Sequence, residues 1–173
     1  MSIAKWLFSF LLSCAVPAAV LAAGAHEHGR AELEIAVDGS RLELRLSAPL
    51  DGLVGFEHRP RNGEERAALE SARVALLEPA RLIEPSPAAR CRLQSAKVPD
   101  PFAEHQGDAG EDAHADVDAA WQFDCAEADA LTAIVIRLDE RFPHLERVEA
   151  VFVGPAGQGA STLPAGRGRV ELR

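Results

Sequence analysis

The chain holds six histidines, and two of them, His26 and His28, flank Glu27 in the stretch "AHEHGRAELEIAVDG". Imidazole nitrogen, thiolate sulfur and carboxylate oxygen are the donors that hold Zn²⁺ in a tetrahedron. Residues at i and i+2 of an extended segment face the same side, so His26 and His28 can approach one ion together. If His26 is the mature N-terminus, its α-amine joins its imidazole, and Cu²⁺ becomes an alternative, since copper outcompetes zinc for nitrogen sites. The competing reading of the pair is a solvated polar tail. His58 follows Glu57 in "GFEHRP", where it is a metal ligand, a cap for the following helix or a hydrogen-bonded buried histidine. His114 and Asp116 share an i, i+2 face and form a histidine–carboxylate pair. His105 lies within the same acidic stretch, and His144, beside Pro143, reads as an exposed surface residue.

Catalytic signatures are missing from the sequence. It has no G-x-S-x-G elbow, no phosphate-cradling glycine loop and no H-E-x-x-H. His26-Glu27-His28 is not the zincin motif, which needs histidines at i and i+4 of a helix. Gln158 in "PAGQGAS" sits among Gly154, Gly157 and Gly159, a composition that reads as a turn. The expectation is therefore a non-catalytic binder.

The elements that must position these donors start after residue 25. Residues 1–25 carry Lys5, an apolar run and the small residues Ala22, Ala23, Gly24 and Ala25, the pattern of a secretory signal peptide cleaved after about Ala22 to Ala25. Pro17 and the small residues weaken it as a permanent span. Cleavage after Ala25 leaves 148 residues, read as one domain over 26–173. Without Lys5, 17 basic residues face 27 acidic ones for a net charge of −10. Such a surface suits cations and excludes nucleic acid as a partner. Cys14 leaves with the leader. Cys91 and Cys125 remain, a pair that reads as a disulfide in an exported protein, with a thiolate metal pair as the alternative. Such a bridge stabilises by roughly 3–4 kcal/mol on the chain-entropy account.

Ala31 to Val37 alternates apolar and polar residues, Asp38-Gly39 supplies a turn, and Leu42, Leu44 and Leu46 return; together they predict an N-terminal hairpin. The connection 49–60 holds Leu50, Leu53, Val54 and Phe56 and is expected to pack down. One principal helix follows, capped by Asn62, with Glu64 and Glu65 in its first turn, and Pro79 stops it. Cys91, Leu93 and Ala96 to Val98 are expected to form a short strand. Residues 99–118 carry seven acids and no Lys or Arg, and predict a flexible acidic loop at about 100–113. The stretch from His114 to Cys125 alternates as a strand. Leu131 to Leu138 and Val148 to Val153 predict two more, and the glycine-rich remainder reads as turns before a last short strand at Val170 to Leu172. The fold class is α+β, with an antiparallel or mixed sheet. "GFEHRP" and "ERFPHL" echo each other loosely across the two halves.

In order, "HEHGRAELEIAVDGSRLELRLSAPLDGLVGFEHRP", "AARCRLQSAKV", an acidic linker, "HADVDAAWQFDCA" and "LDERFPHLERVEAVFVGPAGQGASTL" resemble the ZrgA-like proteins of Gram-negative bacteria. The resemblance spans His26 to about Leu163. It implies a soluble periplasmic protein that binds zinc and assists an ATP-driven importer or its binding protein. On it, His26, His28, Glu57, His58 and His114 are expected ligands, with Asp116 added from spacing. Such proteins often carry a histidine-dense central linker, whereas here the linker offers only His105 and His114 among acids. The alternatives are a periplasmic interaction module with incidental histidines and a copper centre on a processed His26.

Overall fold

The computed structural model describes residues 29–103 and 115–172. The predicted hairpin forms as β1 (Arg30–Asp38) and β2 (Arg41–Pro49). Its turn lies one residue later than expected: Asp38 pairs with Arg41, leaving Gly39-Ser40 as the two-residue loop. Gly39 has φ +56°, a backbone state glycine enters without a Cβ penalty. Alternation then places Leu33, Ile35, Leu42, Leu44 and Leu46 inside.

The greasy connection after Pro49 is packed down, as expected, and includes one short helical turn, α1 (Leu50–Val54), with Leu50 and Leu53 buried. The principal helix, α2, spans Gly63–Leu77. Asn62 Oδ1 accepts from Glu65 N–H at 2.9 Å, and Glu65 Oε2 accepts from Arg61 N–H at 2.6 Å. The helix start is thus capped from both sides. Pro79 opens a 3₁₀ turn instead of prolonging α2. Beyond it, Ile83 begins a short strand, β3 (Ile83–Pro85).

β4 (Cys91–Lys97) is one strand with a bulge between Leu93 and Ser95, which accounts for its broken pattern. β5 (Asp116–Cys125) buries Val117, Ala119, Trp121 and Phe123, the parity read from the sequence. β6 (Ala133–Arg137) and β7 (Arg147–Gly154) follow. Two more strands close the chain, β8 (Gly157–Pro164) and β9 (Arg167–Glu171). β8 corrects the turn reading of "GQGASTLP": Gln158 sits in a strand opposite Val153. The glycines there make room for side chains. A β-carbon on Gly159 would lie 2.6 Å from the Phe152 ring, and one on Gly168 would lie 2.7 Å from Leu163 Cδ2.

The strands make a six-stranded sheet in the order β4-β5-β2-β1-β7-β8 and a three-stranded sheet β3-β6-β9. β1 pairs in parallel with β7 and antiparallel with β2, so the large sheet is mixed. One core joins both sheets and the buried side of α2, Ala72 and Leu76. The architecture is α+β, with Cys91 and Cys125 bridged at one end of the β4–β5 pair.

Candidate metal centre

Strand direction gathers several chain segments at one end of the large sheet. Arg30 opens β1 beside Arg147, which opens β7, while Pro49 ends β2 beside Asp116, which opens β5. α1 starts from Pro49, and its Leu50 N–H donates to Ala115 O at 2.9 Å. Gly29 O accepts from Glu146 N–H at 2.8 Å and from Arg147 N–H at 3.1 Å. Gly52 of α1 comes close to Gly29: a β-carbon on Gly52 would lie 3.7 Å from Gly29 Cα. Gly29 follows His28 and Ala115 follows His114 in the chain, so both histidine-bearing segments join the described fold beside α1.

His58 sits in the loop between α1 and α2, half-buried. Its Nδ1 lies 3.0 Å from Arg59 O. A carbonyl oxygen only accepts, so Nδ1 carries the proton of the neutral ring and Nε2 holds the lone pair. That is the arrangement by which a backbone carbonyl orients a metal-ligating histidine. Glu65 Oε2, 3.9 Å from the same Nδ1, adds a carboxylate on that side. Phe56 stacks on the imidazole with ring centroids 5.3 Å apart. Arg59 secures the loop from its other side: its guanidinium lies 5.0 Å over the Phe102 ring, and Nη2 donates to Phe102 O at 2.9 Å. Phe102 is two residues ahead of Glu104, where the acid-rich stretch leaves the described chain.

Of the expected metal ligands, Glu57, His58 and Asp116 are described. Glu57 is half-buried in the His58 loop, and Asp116 is half-buried at the first position of β5. Among the described residues no group of three His, Cys, Asp or Glu is placed to hold a metal ion, so these three do not make a centre by themselves. His26, His28, His105 and His114 lie outside the described residues. Cys91 and Cys125 are joined to each other, which removes the thiolate-pair alternative.

His144 is exposed, as expected, yet it belongs to the same neighbourhood. A β-carbon on Gly55 would lie 3.1 Å from His144 Nε2. The two echoing segments, "GFEHRP" and "ERFPHL", therefore meet in space. Their likeness was the one sequence signal that pointed to His144.

No helix among the described residues is long and apolar enough to cross a membrane. A comparison with curated proteins finds no match. A family model described as ZrgA family zinc uptake protein matches residues 25–172, a span that takes in the His26-Glu27-His28 opening, the Gly55–His58 loop and every strand. The chain belongs to the ZrgA family of zinc uptake proteins.

Proposed function

We propose that this protein binds Zn²⁺ reversibly in the periplasm and supports zinc acquisition without catalysing a reaction. The observation that carries the reading is the junction at α1. His58, in the loop that follows α1, turns Nδ1 toward Arg59 O, which in the neutral ring leaves Nε2 for a metal, and the segments bearing His28 and His114 enter the fold beside α1 at Gly29 and Ala115. Consecutive Cα atoms are about 3.8 Å apart, so each of those histidines is tethered within one residue of that junction. His26, His28, His58 and His114 are the proposed ligands, with Glu57 and Asp116 as neighbouring carboxylates. Zinc is the cargo, delivered to an importer or its binding protein. The leader at residues 1–25 is proposed to direct export and to be removed.

Titration calorimetry of the processed chain with Zn²⁺ tests this. Saturable binding is expected, weakened by roughly tenfold or more in His58→Ala, the scale at which a site loses affinity when its ligand shell is disturbed. Absence of saturable heat, or unchanged affinity in His58→Ala, refutes the assignment. Competition with Cu²⁺ and a mass spectrum of the mature terminus together test the copper alternative at His26.

A further inference from the structure

Among the described residues the two sheets have four edge strands, and three of them carry the features by which proteins block edge-to-edge pairing. β4 has a bulge and the cations Arg92 and Lys97. β3 is three residues long and ends in Pro85. β9 carries Arg167, Arg169 and Glu171. β8 is different. It closes the six-strand order, runs for eight residues as "GQGASTLP" and contains no charged side chain; its one proline is its last residue. Among the described residues no strand pairs with its outer edge. Beside it on the solvent face, Val151 and Val153 of β7 are 48% and 55% exposed.

We propose that β8 is an association edge and that its occupant is β8 of a second copy, paired antiparallel about Ala160. In that register Ala160 faces its own counterpart, and Gln158 faces Thr162 of the other copy. Thr162 Oγ1 already donates its proton to Glu149 Oε2 at 2.8 Å, so its oxygen is left to accept from the Gln158 amide. Charge favours this edge over the opposite one. The acid-rich stretch joins the fold at β4 and β5, four strand intervals from β8. Pairing through β8 keeps the two β5 strands about 40 Å apart at about 4.8 Å per interval, several times the Debye length of about 8 Å. Pairing through β4 would bring the points where the two acidic stretches join the fold close together.

Sedimentation velocity on the chain as cells process it is the test. The expected result is a dimer whose dissociation constant rises by about tenfold or more in Ala160→Lys, where two ammonium groups meet at the dyad. Ala160 is exposed on the strand, so the variant is expected to keep its Tm. An equimolar mixture of Ala160→Lys and Ala160→Glu recovers the dimer, while Gln94→Lys on β4 leaves it unchanged. A chain that stays monomeric at millimolar concentration overturns the proposal and leaves the edge to a strand of another protein. A dimer indifferent to Ala160→Lys overturns it as well.

Discussion

Gly55 and His144 are neighbours in space: a β-carbon on Gly55 would lie 3.1 Å from His144 Nε2. Gly55 ends α1 with φ +84°, its N–H donating to Asp51 O at 2.7 Å, and a side chain there would run into His144 Nε2. Gly55→Ala therefore meets two penalties, a left-handed backbone for an L-residue and a displaced imidazole. Urea unfolding is expected to show a loss of about 1–2 kcal/mol from the backbone term. Because Gly55 begins the loop that orients His58, zinc affinity should fall in the same variant.

Trp121 offers a separate measure of the core. It is buried on β5, and its Nε1–H donates to Leu76 O at 2.7 Å. Leu76 lies in the last turn of α2, where carbonyls have no partner within the helix. One indole thus fills the core and caps the helix from a neighbouring strand. Trp121→Phe keeps an aromatic ring but strands that carbonyl. The expected cost is about 1–3 kcal/mol for the unsatisfied acceptor, read as a lower urea midpoint with an unchanged slope.

How much of this was legible depended on the range of the interactions. The β1–β2 hairpin, the Asn62 cap and the parity of β5 are written locally, in alternation and in capping residues, and all three formed. The β1–β7 parallel ladder joins residues more than a hundred positions apart and leaves no local mark. β8 was hidden because Gly157 and Gly159 look like turn residues; Gly159 is glycine because the Phe152 ring occupies its side-chain space. At the candidate site, "GFEH" drew attention to the His58 loop, but the carbonyl that orients His58 belongs to its own neighbour, Arg59. No side-chain pattern encodes a backbone acceptor. His144 carried only the faint echo of "ERFPHL", since its contact depends on two turns meeting.

The disulfide allows stability and binding to be separated. Cys91 and Cys125 close a sequence separation of 34 residues, and reduction is expected to cost about 3–4 kcal/mol on the chain-entropy account. Cys125 ends the same strand that Asp116 begins, and nine steps of β-strand span about 30 Å. At that distance effects are close to independent. Reduced protein held well below its melting temperature should therefore bind zinc within about twofold of the oxidised form. A large loss of affinity on reduction, with the fold intact by circular dichroism, would argue that ligands are organised from the disulfide end instead.

The pH profile of zinc binding distinguishes imidazole ligands from carboxylates. A histidine must be neutral to coordinate, and a free imidazole protonates near pH 6.5, so affinity should fall between about pH 7.5 and about pH 5.5. Stability should not fall with it through the Glu70–Arg73 ion pair. The Arg73 guanidinium hydrogen-bonds Glu70 and lowers its carboxyl from the ordinary value of 4.5. A carboxyl lowered in the folded state contributes stability above its unfolded pKa and loses it as pH falls through the folded one. That loss lies below the window in which histidines titrate, and both groups are exposed, so salt screens the pair. Calorimetry at the two pH values, with Tm recorded alongside, should give weaker binding at the acid value and no loss of Tm traceable to this ion pair. Equal affinity at both values would transfer the metal from the histidines to Glu57, Asp116 and the acidic stretch.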